Sequence, residues 1–230
     1  MNSRWFERTA KLLNGARNRG QQWRTSFSNF KLRRQFSYGN QSLQGIPVYW
    51  LLIGANVGIW ALWNSNFINR NFMVKHFALS KATLAQGNIH AMITHGFSHI
   101  NLWHLLMNMV TLYFFGRNIE LVFGVKRLLQ LYLAGTFFGG LFQLPRSNDF
   151  QITVGASGAT SAILSYFILH FPNQIIYLYF IPVPAWAFGL LFLGYSYFQM
   201  DRNSGIAHAA HLGGLLSGAA IYFITRGRMF

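Results

Sequence analysis

Six apolar stretches follow one another after Pro47, at about 47–63, 101–117, 127–144, 156–170, 175–198 and 206–225. Each runs for about 15 to 24 residues, and a helix needs roughly 20 to cross a bilayer. Little in the chain could cover such stretches in water. Charged residues make up 10% of the sequence, against about 25% in a soluble domain. Hydrophobic residues make up 52% and aromatics 17%, which is far too apolar for a disordered chain. The expected fold is an all-α membrane protein: a bundle of six transmembrane helices with a long first loop, 64–100. The chain has no cysteine, which excludes a disulfide scaffold, a thiolate zinc site and a cysteine nucleophile.

The net charge of +15 is unevenly placed. Nine of the 19 Lys and Arg residues precede residue 46, against one acid, Glu7. The charge describes a basic tail and some loops, so no nucleic-acid partner is expected. Arg-rich, Ser-containing and acid-poor, segment 1–45 fits a mitochondrial presequence, and equally a basic tail lying on anionic lipid. Residues 46–230 form the second region. Six crossings put both termini on one side. That side receives fourteen basic residues: the nine of the tail with Arg117, Lys126, Arg127, Arg226 and Arg228. The other side receives Arg70, Lys75, Lys81, Arg146 and Arg202. The positive-inside rule then puts the termini in the cytosol or the mitochondrial matrix. Patches 72–79 and 89–97 of the first loop are amphipathic and suit the membrane interface.

Polar residues inside apolar helices are costly and are functional candidates. His104 and Asn108 lie one turn apart in the second stretch. Gly155-Ala156-Ser157-Gly158 opens the fourth, and His208 and His211 sit in the sixth. At about 1.5 Å of rise per residue, Ser157, His211 and His104 each lie roughly 8–12 Å below the face opposite the termini. A hydroxyl, two imidazoles and an amide thus reach one layer from three helices.

A serine hydroxyl needs an adjacent base, and imidazole suits that role near neutral pH. The acids are Glu7, Glu120, Asp149 and Asp201. Only Asp201 is a conceivable third member, at a loop edge, so a Ser–His dyad is expected. Acyl transfer also needs donors aimed at the developing oxyanion. The free N–H groups at the start of the fourth helix, with His104 and Asn108, can supply them. Helices close enough for a Ser–His pair meet through small residues; Ala210, Gly214 and Gly218 face that requirement on one helix, and Gly158, Ala162 and Ser165 on the other. Taken singly, these are also packing motifs, interior histidines and interhelical glue. His208 reads as a cavity-mouth or structural group. His95 and His99 have the spacing of two zinc ligands, but a site wants three. No metal and no cofactor is expected.

In this order the residues resemble the rhomboid intramembrane serine proteases over about 90–220. Phe97-x-His99 followed by His104-Leu105-x-x-Asn108-Met109 is similar to the family's second-span block. Gly116-x-x-x-Glu120-x-x-x-Gly124 is similar to its turn into the third span. Gly155-x-Ser157-Gly158 is similar to the nucleophile motif, and Ala210-His211-Leu212-Gly213-Gly214-x-x-x-Gly218 to the sixth-span histidine motif. The resemblance implies a six-helix rhomboid fold and a Ser157–His211 dyad. It also implies oxyanion donors from His104, Asn108 and the Ser157 amide, with a structural role for His99. The run from His208 to Gly214 is similar to the mitochondrial branch, which implies the mitochondrial inner membrane with termini in the matrix. A bacterial or other cellular membrane with cytosolic termini is the alternative. The implied partners are transmembrane protein substrates and the bilayer. Two features depart from the family. The tryptophan–arginine pair common in the first loop is not evident, and the aromatic often found four residues after the nucleophile is replaced by Ser161. Two other classes compete: a catalytically inactive rhomboid-like protein that binds membrane clients, and a small channel or transporter.

Overall fold

The computed structural model describes residues 45–65, 67–178, 180–198 and 207–225. The basic tail therefore lies outside the described residues except for Gly45, and so do Asp201, Arg202, Arg226 and Arg228. Within the described residues the chain is all-α apart from one short hairpin.

Helix α1 spans Val48–Trp63 and begins directly after Pro47. The first N–H groups of a helix have no partner within it. Here Val48 N and Tyr49 N donate to the two carboxylate oxygens of Glu120, at 2.9 and 2.8 Å. An acid at a helix N-terminus also opposes the positive end of the helix dipole. The first loop is built of short helices: α2 (Arg70–Phe77), α3 (Lys81–Ala85) and α4 (Ala91–Thr94), the last continued by a 3₁₀ turn, His95–Phe97. Met73 of α2 is buried against an apolar cluster that includes Trp63 and Ala78. The loop is thus a packed layer.

Helix α5 (Leu102–Thr111) is capped by Asn101, whose side chain accepts from His104 N. It continues through one π-helical segment, Leu112–Gly116, into α6 (Arg117–Phe123). The second stretch therefore does not stop near residue 117. It stops at Gly124, whose φ of +82° suits glycine and ends a helix. Helix α7 follows as Val125–Gln143. Helix α8 (Ser157–His170) is the central element, with every residue from Gly158 to Ile168 buried.

The fifth stretch departs from expectation. Residues 175–184 form an antiparallel hairpin, β1 (Ile175–Leu178) and β2 (Ile181–Pro184), with Ile175 opposite Pro184 and Leu178 opposite Ile181. Pro182 and Pro184 lack an N–H and would break a helix here. The β-branched Ile175, Ile176, Ile181 and Val183 favour strand. Helix α9 starts only at Ala185 and ends at Phe198. Helix α10, His208–Thr225, closes the bundle.

Polar pairing in the core is specific. Asn56 on α1 donates to Tyr132 Oη at 2.8 Å, and Tyr132 donates onward to Gly96 O at 2.9 Å, joining α1, α7 and the first loop. Large apolar side chains instead face outward on α5, α7 and α9, among them Trp103, Val110, Leu133, Leu141, Leu190 and Leu191. Among the described residues no helix is long and apolar enough to cross a membrane. Helices α8 and α9 have 14 residues each, about 21 Å of rise.

Candidate active site

The segment that delivers Ser157 is held from the first loop. Leu79 and Thr153 exchange two backbone hydrogen bonds, Leu79 N to Thr153 O at 3.0 Å and the reverse at 2.7 Å. Gly155 N donates to His95 O at 3.0 Å. Ala156 N donates to His99 Nε2 at 3.3 Å. An imidazole nitrogen that accepts carries no proton, so His99 is neutral with its hydrogen on Nδ1. Burial pushes its pKa down to about 3. His95 is likewise buried, its Nδ1 lies 2.8 Å from Ala91 O, and burial pushes its pKa down to about 4. Two neutral loop histidines thus flank the approach to the nucleophile, in keeping with a structural role for His99.

Gly155 has a φ of +130°, a conformation L side chains rarely adopt. A Cβ there would lie 2.5 Å from His104 Cε1. Glycine at this position both turns the chain into α8 and leaves space for the His104 ring. That ring meets His99 edge-on at 5.1 Å. The first turn of α8 has no side-chain cap, so its leading N–H groups remain available.

Helix contacts bring the second histidine motif alongside. A Cβ on Gly214 would lie 2.2 Å from Gly158 O, and one on Gly218 would lie 2.2 Å from Ala162 O. A Cβ on Gly158 would lie 2.6 Å from Gly135 O. Gly213 points the other way, where a Cβ would lie 2.4 Å from Phe138 O of α7. These glycines let α8 touch α7 and α10 backbone to backbone, as small residues do in tightly crossed helices.

One cavity of about 970 Å³ results. Ser157, His211, His104 and Asn108 all line it, from α8, α10 and α5. Among the described residues no hydrogen bond joins the Ser157 hydroxyl to His211, and His211 Nδ1 is buried without a partner. Hydrogen bonds of this kind often tighten only when substrate binds. Asn108 is held at both ends of its amide. Its Nδ2 donates to His104 O at 2.9 Å, and its Oδ1 accepts from Thr160 Oγ1 at 3.0 Å. One Nδ2 hydrogen therefore remains for another acceptor.

The other sequence-derived candidates divide. His99, Gly155 and Gly158 shape the site without lining the role of acid or base. Glu120 lies elsewhere and caps α1. His208 does not line the cavity as a mouth group would; it is buried, with its ring edge-on to Tyr195 and to His211. Among the described residues no three His, Asp or Glu side chains gather as metal ligands. Two residues escaped the sequence reading. Thr160 is three residues after Ser157, so helical spacing alone puts it on the same face as the nucleophile. Phe192 of α9 lines the cavity and stacks on His211 at 5.6 Å and 23° between planes. Nothing in the sequence marks it among the many aromatics of its stretch.

The profile of the rhomboid domain matches residues 86–228. The chain belongs to the rhomboid family. The matched region contains every residue of the candidate rhomboid site, from His99 to Gly218. Similar proteins include RHOMBOID-like protein 12, mitochondrial, of Arabidopsis thaliana, 36% identical over 222 residues covering 88% of this chain. Rhomboid protein 1, mitochondrial, of Saccharomyces cerevisiae is 33% identical over 175 residues, 73% of this chain. Presenilin-associated rhomboid-like protein, mitochondrial, of Homo sapiens is 27% identical over 206 residues, 83% of this chain. The aligned region spans 65%, 50% and 49% of those three relatives.

Proposed function

We propose that this rhomboid is an intramembrane serine endopeptidase with Ser157 as nucleophile and His211 as base. The observation that carries the reading is the shared cavity: Ser157, His211, His104 and Asn108 line one space from three helices. In the first step His211 takes the Ser157 hydroxyl proton as Oγ bonds to the scissile carbonyl carbon. The oxyanion accepts hydrogen bonds from His104, the free Nδ2 hydrogen of Asn108 and the leading N–H groups of α8. Collapse of the tetrahedral adduct breaks the C–N bond, and His211 returns its proton to the leaving amine. Water then repeats the sequence on the acyl-enzyme and frees Ser157.

The substrates in this reading are transmembrane proteins cut near the face opposite the termini. The outward apolar faces of α5, α7 and α9 and the polar interior support a bilayer setting. Six helical segments at 48–63, 102–123, 125–143, 157–170, 185–198 and 208–225 take the place of spans. The shorter ones need a locally thinned bilayer. Relatives bearing the word mitochondrial in their names, with the basic segment 1–45 as a presequence, favour the mitochondrial inner membrane and matrix-facing termini. A reporter fused to residues 1–45 and found outside mitochondria would remove the targeting part alone.

One observation favours a second reading, an inactive rhomboid that binds membrane clients: no hydrogen bond joins Ser157 to His211. A single experiment separates the two. Purified protein is incubated with a model transmembrane substrate and, separately, with a fluorophosphonate probe. The protease reading expects Ser157→Ala and His211→Ala each to abolish cleavage and the double variant to be no worse, because the pair acts as a unit. Wild-type protein that binds substrate but is neither labelled nor active would establish the binding role instead.

A further inference from the structure

Among the described residues no hydrogen bond holds the side chain of the proposed base. His211 Nδ1 is buried without a partner. The described carboxylates are both engaged with other partners: Glu120 caps α1, and Asp149 pairs with Lys81 at 3.8 Å. A ring that rotates freely about its χ2 torsion would present Nε2 to Ser157 only part of the time, because that torsion is broad. Contacts must therefore set its plane. Two rings touch it. His208, one turn back on the same helix, meets it edge-on at 5.6 Å and 78°. Phe192 stacks on it in an offset arrangement, at 5.6 Å and 23°. On the nucleophile's own helix the residue one turn on from Ser157 is Ser161, too small to cover an imidazole.

Phe192 is itself supported. It stacks on Phe188, one turn earlier on α9, at 6.3 Å with planes 5° apart. Both are partly buried and pack against the cluster of Leu164, Ile168 and Ala185 that joins α9 to α8. The Phe192 ring is thus supported by Phe188 on its own helix and by packing against α8, the helix that carries Ser157.

We propose that Phe192 is a positioning residue for His211, its phenyl face setting the imidazole plane in which the base meets Ser157. This rests on the protease reading. It assigns α9 a part in the chemistry through a contact that neither histidine motif nor nucleophile motif contains. An offset aromatic stack is strong enough to bias one ring orientation over another.

The test uses the full chain in lipid bicelles, with Phe192→Leu, Phe192→Tyr and the outward-facing control Leu190→Ala. Leucine keeps the apolar bulk and loses the flat face; tyrosine keeps both. Phe192→Leu is expected to slow fluorophosphonate labelling of Ser157 and kcat by roughly 3- to 10-fold, the scale on which one aromatic stack biases a ring orientation. KM should stay within about twofold, because loss of a contact that orients the base acts on the transition state more than on substrate binding. Phe192→Tyr should restore most of the rate, and Leu190→Ala should match wild type. A second readout does not need activity: the His211 ring protons, observed by NMR, should lose the upfield ring-current shift of the phenyl in Phe192→Leu. Thermal unfolding is measured for each variant, and Phe192→Met replaces Phe192→Leu if the latter does not fold. An unchanged labelling rate in the leucine variant overturns the proposal. So does a KM rise with kcat intact, a tyrosine variant as slow as leucine, or an unmoved His211 ring shift. Wild-type protein that is never labelled removes the protease reading itself, and the ring shift then still reports whether the stack exists.

Discussion

Replacing Gly214 by alanine tests the helix crossing on which the site depends. The new methyl would lie 2.2 Å from Gly158 O, 2.9 Å from Ser161 Cβ and 3.0 Å from Gly158 C. Ordinary contact is reached about 1 Å further out. Two of the three atoms are backbone, so rotation of a side chain does not relieve the clash. Interiors are packed as densely as organic crystals, so α8 and α10 must part by about 1 Å. His211 lies one turn before Gly214, and Ser157 adjoins Gly158. The separation therefore opens the Ser157–His211 gap by a similar amount. Two losses follow: overpacking costs about 1–3 kcal/mol of stability, and a 1 Å misplacement costs roughly 100-fold in rate. The assay is cleavage of a transmembrane substrate per folded molecule, alongside thermal unfolding in detergent. Gly218→Ala meets an equally close backbone oxygen, Ala162 O at 2.2 Å, but one turn further from His211. It should lose as much stability and less rate. Gly54→Ala on α1, with nothing within 4 Å of the new Cβ, should alter neither. Gly214→Ala with wild-type cleavage and wild-type unfolding would refute the tight crossing.

Other outcomes are expected. Thr160→Val removes the hydroxyl that Asn108 Oδ1 accepts; kcat should fall about tenfold, in line with a buried acceptor left unpaired, and Thr160→Ser should restore it, whereas equal rates in all three would mean the bond does not orient the amide. Glu120→Ala strips the acceptor from Val48 N and Tyr49 N and should cost about 0.5–2 kcal/mol, as loss of a helix cap does, with the rate per folded molecule kept; chemical unfolding measures the loss, and a rate effect larger than the stability effect would contradict a capping role. Acid should weaken the fold through His95, whose folded pKa of about 4 lies below its unfolded 6.5. The contribution is complete above pH 6.5 and disappears as pH falls towards 4, on the order of 3 kcal/mol; an unfolding midpoint that stays flat across that window would show that His95 does not need to be neutral.

The sequence by itself determined what local rules can determine. Composition pointed to an apolar, helix-rich chain, and four of the six apolar stretches became helices close to their expected limits, while the second ran on to Phe123, because helix formation answers to neighbours three and four residues away. The spacing of Gly155, Ser157 and Gly158, and of Ala210, His211, Gly214 and Gly218, was sufficient to name the helix faces that meet. The hairpin at 175–184 is also legible in principle, because Pro182 and Pro184 stand in the stretch and bar a helix there, however apolar it is. What the tertiary structure alone decided are partnerships between residues remote in the chain. Glu120 caps a helix about 70 positions earlier. Thr160 holds Asn108 across 52 residues. His99 receives the Ala156 N–H across 57. Phe192, rather than anything near Ser161, covers His211. Each depends on the rotation and separation of packed helices, which follow from how glycine-lined surfaces interlock. A periodic pattern states which face of a helix is buried, and only the assembled bundle states which ring or carboxylate it is buried against.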